Sequence, residues 1–96
     1  MLMALSNYTK SLDEVNKYRD QHIHYLTHLI TANKLLAAGR QTPPTGAVII
    51  ARNISLDEFK TILAKDPYTQ AGVADYKIIE FNPALCDEGF KALISS

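Results

Sequence analysis

The sequence predicts an α+β fold in which two helices cover one face of a four-stranded antiparallel sheet. Three observations support this prediction: two serines stand at helix-capping positions, a proline-rich turn separates two apolar runs, and the apolar periodicity changes along the chain. The predicted elements follow the order strand, helix, strand, strand, helix, strand. This order is the ferredoxin-like βαββαβ arrangement, in which both helices lie on the same side of the sheet.

The first strand and the first helix fill the N-terminal third of the chain. Residues 1–8 are predicted to form a strand that is apolar on both faces at its start and more polar towards its end. Ser11 is followed three residues later by Glu14, which is the spacing of a capping box. The helix that begins here is expected to run to about Ala32, and Asn33 suits a left-handed cap.

A β-hairpin is predicted over residues 35–52. The apolar letters from Leu35 onward would also extend the helix, but Asn33 and the nearby Gly39 favour a strand. Two prolines and a glycine in residues 42–46 indicate a turn. Residues 47–51 are apolar on both faces and rich in β-branched side chains, which is typical of a covered strand.

The second helix and the last strand follow the hairpin. Ser55 is expected to cap the helix, which ends at Asp66 because the residue before a proline avoids the helical region. A short turn or helical piece is expected over residues 68–72. The last strand is predicted over residues 76–81 and is ended by Pro83.

The length and the apolar content predict one folded domain. The chain has 96 residues, of which 47% are hydrophobic, which suits a globular protein with a single core. We expect one domain over residues 1–96, with its core in about residues 1–83. The tail over residues 84–96 is predicted to contain a short helix around residues 88–94.

Charge and cysteine content argue against several classes of protein. Ten basic and ten acidic residues cancel, and without a basic run the chain offers little attraction to nucleic acid. Cys86 is the only cysteine, so no disulfide can form within the chain. No apolar run approaches the ~20 residues that a membrane helix needs. We expect a cytoplasmic protein that binds neither nucleic acid nor membrane.

The first helix carries a titratable group on its apolar stripe. The apolar residues that recur at helical spacing and are predicted to face the core are Val15, Ile23, Leu26, Leu29 and Ile30. His22 lies on or beside this stripe. A buried ring nitrogen without a partner costs about 1–3 kcal/mol, so His22 is either a satisfied core histidine or part of a functional site.

Metal and cofactor sites are not expected. His24 and His28 are four residues apart and could share a metal ion on one helix face, but the sequence offers no third ligand. Solvated histidines are the better interpretation. The chain also lacks a glycine-rich phosphate loop and paired cysteines, so we expect no cofactor.

The predicted sheet leaves one apolar face uncovered. The strands at residues 47–51 and 76–81 are apolar on both faces, whereas both helices cover the same face. A chain of this size has nothing left to cover the other one. An exposed apolar sheet face marks an interface, so a homodimer that packs sheet against sheet is predicted.

Five ordered segments bear a family resemblance: Arg19–His22, Asn33–Gly39, Asp66–Tyr68, Ala71–Val73 and Ile78–Phe81. Across roughly residues 1–83, the chain resembles the YCII-related family of the dimeric α/β-barrel superfamily. Two positions depart from the pattern of the family. Arg40 stands where a proline is common, and Asn33 stands where a glycine is common. The first departure alters the charge of a pocket, and the second leaves the helix cap intact.

The resemblance implies a pocket that contains a histidine and an aspartate, here His22 and Asp66. As a catalytic pair, Asp66 would bond to one ring nitrogen and leave the other for proton transfer. The alternative is a structural pair that ties the first helix to the turn after the second. Some relatives in the family are dehydrochlorinases that act on chlorinated aromatic rings.

Three further residues are candidates for binding a substrate. Arg19 is one turn before His22 and could clamp a carboxylate or phenolate, although a surface ion pair with Asp20 or Glu14 is the alternative. Arg40 and Tyr68 are the other candidates, and Tyr68 could equally serve in packing.

These observations predict a small enzyme, a lyase or isomerase that transfers protons on a small anion, aromatic or enolisable. Two alternatives stay open: a non-catalytic module that binds a small ligand, and a structural dimer that binds another protein. The sequence names neither the substrate nor the reaction.

Overall fold

The computed structural model describes residues 1–95 and contains one four-stranded sheet. Its strands are β1 (Leu2–Tyr8), β2 (Leu35–Arg40), β3 (Ala47–Ala51) and β4 (Ala74–Glu80). They lie in the order β2-β3-β1-β4, and every neighbouring pair is antiparallel. The predicted ferredoxin-like α+β fold is therefore confirmed.

Five helices accompany the sheet in the described part of the chain. They are α1 (Leu12–Asn16), α2 (Arg19–Thr31), α3 (Leu56–Lys65), α4 (Pro67–Gln70) and α5 (Glu88–Ser95). The longer helices α2 and α3 correspond to the two that the βαββαβ pattern requires. In the described chain no helix combines the length and the apolar content needed to cross a membrane.

The prediction of one uninterrupted first helix is wrong. The amides of Lys17 and Tyr18 donate to carbonyls three residues back, at 3.3 and 3.0 Å, and this tighter turn separates α1 from α2. Tertiary packing explains the break, because the two helices bury side chains in different clusters. Val15 of α1 packs with Val73 and its neighbours, whereas Leu26 of α2 packs in the main core.

The predicted caps are present. The hydroxyls of Ser11 and Ser55 accept hydrogen bonds from the amides of Glu14 and Glu58, at 3.3 and 3.1 Å. The carboxylate of Glu14 contacts Lys17 at 2.8 Å instead of completing a capping box. Asn33 has a φ of 61°, so it is the left-handed residue that ends α2 and directs the chain into β2.

The main core lies between the helices and one face of the sheet. Its buried members include Leu2, Ala4, Leu26, Leu35, Ile49, Phe59 and Leu63. Two residues of the predicted core stripe belong to neither buried cluster: Ile23 and Ile30 remain 44% and 39% exposed. They border a cavity beside α2, so an open space stands where the sequence predicted core.

The C-terminal part of the chain differs slightly from the prediction. β4 begins two residues earlier than expected, because Ala74 and Asp75 already pair with the end of β1. The predicted tail helix is present as α5, and the carbonyl of Leu93 accepts a hydrogen bond from Arg52 at 3.0 Å. Ser96, the last residue of the predicted tail, lies outside the described residues.

Candidate active site

A buried histidine and a buried aspartate meet where α2 passes the junction of α3 and α4. The Nδ1 atom of His22 lies 2.7 Å from Oδ1 of Asp66. His22 is 7% exposed and Asp66 is fully buried. The sequence places these residues 44 positions apart, and the packing of α2 against α4 brings them together.

The Asp66 carboxylate is held by further donors. Pro67 follows Asp66, whose ψ of 131° is extended, and this conformation turns the side chain back over the start of α4. Oδ1 accepts a hydrogen bond from the amide of Tyr68 at 2.9 Å, and Oδ2 accepts one from the hydroxyl of Tyr76. Both oxygens of this buried carboxylate are therefore occupied.

Two aromatic rings support the imidazole. The ring of Tyr68 is stacked on that of His22, with centroids 3.8 Å apart and an angle of 7° between the planes. The ring of Tyr8 meets Tyr68 edge to face at 6.0 Å. Burial raises the pKa of Tyr68, so this phenol stays neutral at physiological pH.

A cavity of about 300 Å³ opens beside His22 between α2 and the β2–β3 edge of the sheet. The remaining lining residues are Tyr8, Arg19, Ile23, Leu26, Thr27, Ile30, Ala38, Gly39, Arg40, Ala47 and Tyr68. Its volume lies at the lower end of the range for small-molecule sites. The small side chains of Ala38 and Ala47 leave room for a ligand of about one ring.

One ring nitrogen of His22 is available at this cavity. Nδ1 is bonded to Asp66, which does not line the cavity. Within the described chain no residue forms a hydrogen bond with Nε2. This nitrogen is nevertheless accessible to solvent. The arrangement leaves Nε2 as the nitrogen that can exchange a proton with a bound molecule.

Two arginines line the same cavity, and they differ in how firmly they are held. Nε of Arg40 donates to the hydroxyl of Tyr8 at 3.0 Å, and Nη2 donates to Oδ1 of Asn16 at 2.8 Å. Burial alone would lower the pKa of Arg40, but its interactions with the hydroxyls of Tyr8 and Tyr68 together outweigh this effect and raise the pKa. The side chain of Arg19 is exposed.

The ion pair considered for Arg19 does not form. Across residues 1–95, no hydrogen bond or ion pair involves Arg19, and Glu14 is paired with Lys17 instead. The Arg19 guanidinium is therefore able to turn towards an anion in the cavity.

Four of the five predicted site residues line the cavity: Arg19, His22, Arg40 and Tyr68. The fifth, Asp66, lies behind His22 and is bonded to it. Sequence reasoning missed Tyr8 and Tyr76. The polar end of the first strand was a signal for Tyr8, because residues at strand ends can line a pocket. For Tyr76 no signal existed, since it reads as an ordinary strand residue.

The other candidates lie apart from this site. His24 and His28 are exposed, and their rings meet edge to face at 5.3 Å. Among the described residues, no group of three or more side chains is arranged to hold a metal ion. Cys86 is exposed in the segment before α5.

A comparison with protein-family models settles the relationship. The model of the YCII-related domain matches residues 1–82. The chain belongs to the YCII-related family. The match covers the whole sheet and the helices that hold His22 and Asp66, so the resemblance in the sequence is confirmed.

A solved structure of similar fold supports the architecture. The chain superposes with a TM-score of 0.68 on 5-chloro-2-hydroxyhydroquinone dehydrochlorinase from Burkholderia phenoliruptrix AC1100, determined in complex with 2,5-dihydroxybenzoquinone. The two chains are 20% identical, and the alignment covers 85% of this chain and 94% of the other. None of the curated proteins compared with the chain matches it significantly.

Proposed function

We propose that this YCII-related protein is a small enzyme, a lyase or isomerase, that transfers protons on a small anion bound beside His22. The observation that carries the proposal is the bond of 2.7 Å between Nδ1 of His22 and Oδ1 of Asp66. This bond holds one ring nitrogen and leaves the other at a cavity of about 300 Å³. A fixed tautomer with one free nitrogen is the arrangement that general acid–base catalysis requires.

The charges around the cavity favour an anionic ligand. Arg19 and Arg40 both line the cavity, and its lining among the described residues includes no carboxylate. The Asp66 carboxylate behind His22 is buried and occupied by donors. A guanidinium binds a carboxylate or phenolate through parallel hydrogen bonds. We assign the ligand oxygens to this side of the cavity.

The roles of the residues follow from their contacts. Nε2 of His22 would take a proton from a hydroxyl group or an acidic carbon of the ligand and return it to another position or leaving group. Asp66 would stay ionised, hold the ring, and stabilise the imidazolium that forms. Tyr68 would keep the ring flat against its own and form part of the cavity wall.

The similarity of fold to a dehydrochlorinase suggests the first compounds to test. That enzyme was determined with 2,5-dihydroxybenzoquinone, a single ring with four oxygen atoms. A ring of this size suits the cavity here, and its acidic hydroxyls suit the two arginines. Dehydrochlorination is the loss of a proton and a chloride as HCl, and Nε2 of His22 could accept that proton.

Turnover by this protein tests the proposal directly. The panel contains 5-chloro-2-hydroxyhydroquinone, followed by chloride release, and small keto acids, followed by exchange of carbon-bound protons in D₂O. We expect His22→Ala to abolish turnover of any active compound. His24→Ala is the matched control, because this exposed histidine is on the same helix, and it should retain full turnover.

Ligand binding tests the assignment of the arginines. We expect calorimetry to detect 2,5-dihydroxybenzoquinone binding to the unaltered protein and about tenfold weaker binding to Arg40→Gln. Arg40→Lys keeps the charge but loses the paired contacts with Tyr8 and Asn16, so it should fall between the two. Equal affinities for all three proteins would contradict a role of Arg40 in ligand binding.

Two alternative functions predict different results. If the protein only binds its ligand, no member of the panel turns over and ligand binding survives His22→Ala unchanged. If it is a structural module, a thermal-shift screen finds no small ligand and a pull-down finds a protein partner. We favour the enzyme because the bond between His22 and Asp66 leaves a ring nitrogen at the cavity, where it can exchange a proton with a ligand.

We also propose that the protein is a homodimer formed through the face of the sheet that the helices leave open. Side chains alternate along β1 and β3, so that buried residues face the helices and half-buried ones face away. The half-buried apolar residues on the open face are Met3, Leu5, Val48, Ile50 and Ile79. A second copy would cover this apolar surface.

A further inference from the structure

Three groups from three different elements hold the Asp66 carboxylate. His22 on α2 and the amide of Tyr68 on α4 both bond to Oδ1, whereas the hydroxyl of Tyr76 on β4 donates to Oδ2. The bond from Tyr68 is local, because a capping aspartate makes it wherever such a helix begins. The bond from Tyr76 is not local, and it links the sheet to the acid–base pair.

We propose that Tyr76 is a positioning residue that acts on His22 through Asp66. Its hydroxyl occupies Oδ2 and thereby leaves Oδ1 as the acceptor for the ring. His22 is then held with its proton on Nδ1 and its lone pair on Nε2, the nitrogen at the cavity. The inference rests on the proposed function for the reaction that the ring performs, whereas the orientation of the ring can be measured without any activity.

The burial of the site makes this role specific. Asp66 is fully buried, and Tyr76 does not line the cavity, so its hydroxyl serves the carboxylate and not a ligand. Burial, followed by the charge of Asp66, strongly raises the pKa of Tyr76. The phenol therefore remains a donor at pH values at which free tyrosine begins to ionise.

Loss of the hydroxyl would loosen the pair without removing either member. A buried carboxylate oxygen without a donor is costly, so in Tyr76→Phe the carboxylate would rotate or admit water to satisfy Oδ2. The hydrogen bond between Oδ1 of Asp66 and Nδ1 of His22 would then compete with the hydrogen bonds that the rotated or hydrated carboxylate can form. The neutral ring would distribute its proton between both nitrogens instead of keeping it on Nδ1.

Nitrogen NMR of the ring tests this inference. The ¹H–¹⁵N ring correlations of His22 are recorded at a pH at which the ring is neutral, with the exposed rings of His24 and His28 as internal references. In the unaltered protein we expect a protonated Nδ1 and a bare Nε2. In Tyr76→Phe we expect the two nitrogen shifts of His22 to move towards each other.

Tyr25→Phe is the matched control. Tyr25 is also a partly buried tyrosine in contact with the core, and its hydroxyl donates to the carbonyl of Ile62 at 2.7 Å. Its loss should cost comparable stability and leave the His22 shifts unchanged. The inference is overturned if Tyr76→Phe leaves the His22 shifts unchanged, or if both variants move them equally.

A measurement on the unaltered protein covers the case in which Tyr76→Phe does not fold. With ¹³C at the ζ position of tyrosine, the signal of Tyr76 should remain that of a neutral phenol at a pH at which free tyrosine added as a reference ionises. Ionisation of Tyr76 together with the free tyrosine would show that its bond to Asp66 is absent in solution, and would overturn the inference.

Kinetics separate this inference from the proposed function. With any compound that is turned over, Tyr76→Phe should lower kcat about tenfold and leave KM unchanged, while Tyr25→Phe changes neither. Turnover that survives His22→Ala contradicts the proposed function alone. The ring spectrum of Tyr76→Phe still decides whether Tyr76 positions the ring.

Discussion

The imidazole of His22 lies parallel to the phenol ring of Tyr68, with 3.8 Å between the ring centroids. The backbone amide of the same tyrosine donates to Asp66, which in turn is bonded to His22. Tyr68 therefore fixes the pair twice, once through its ring and once through its amide. The hydrogen bond from the backbone amide to Asp66 survives any substitution of Tyr68 except proline. The contribution of the stacked ring can therefore be measured separately from that of the amide.

Tyr68→Leu should destabilise the protein more than Tyr68→Phe. The phenylalanine keeps the stacked ring, whereas the leucine removes an aromatic contact that contributes about 0.5–1.5 kcal/mol beyond its buried area. We expect this difference in the free energy of unfolding from urea denaturation. Equal unfolding free energies for the two variants would mean that the stacking contributes nothing.

Removing the histidine of the buried pair should cost at least about 1.5–3 kcal/mol, because the buried Asp66 carboxylate loses one of its three donors. We expect His22→Ala to lower the free energy of unfolding by this amount in urea. His24→Ala serves as the control and should change it by less than about 0.5 kcal/mol, because His24 is exposed on the same helix. A similar small effect for both variants would contradict the buried pair.

Stability should fall at alkaline pH because of Tyr76. Its pKa in the folded protein is raised by burial and by Asp66, whereas an unfolded tyrosine ionises near pH 10. Its contribution is therefore fully present below about pH 10 and is lost as the pH rises from there towards the folded pKa. Urea denaturation at increasing pH should show a shallower loss of stability for Tyr76→Phe than for the unaltered protein. Parallel curves would refute this prediction.

The proposed dimer makes a prediction for the open sheet face. Ile50→Lys places a charge in the middle of this face, where its neighbours are Met3 and Ala37, and we expect it to yield monomers. Leu12→Lys is the control, because Leu12 is a comparably apolar residue on α1 and is 38% exposed. Sedimentation velocity at micromolar concentration distinguishes the species. A monomeric unaltered protein would contradict the dimer.

Local signals in the sequence determined most of the secondary structure. The capping serines Ser11 and Ser55, the left-handed Asn33 and the proline after Asp66 act within a few residues, so their effects can be derived from the sequence alone. The order of the predicted elements then led to the four-stranded sheet, because few topologies suit strands and helices in this sequence. His22 stood out because a polar group on an apolar stripe needs a partner, and the family resemblance then supplied Asp66 as that partner.

Tertiary structure decided what depends on distant contacts. The break between α1 and α2 has no local signal, because neither proline nor glycine stands at Lys17 or Tyr18, and it arises from packing into two clusters. Ile23 and Ile30 have the helical spacing of core residues. Whether the space beside them is filled or left as a cavity depends on the small side chains of Ala38 on β2 and Ala47 on β3.

The acid–base site shows the same division. The sequence predicted the pair of His22 and Asp66 with the help of a family resemblance, but it contained no indication of Tyr76. The hydroxyl of Tyr76 reaches from β4 to a carboxylate at the junction of α3 and α4, and this contact depends on sheet register and helix placement, which are set by the packing of the whole domain. Apolar periodicity reports only which face of a strand is buried, and the partner of a buried polar group is decided by the three-dimensional fold.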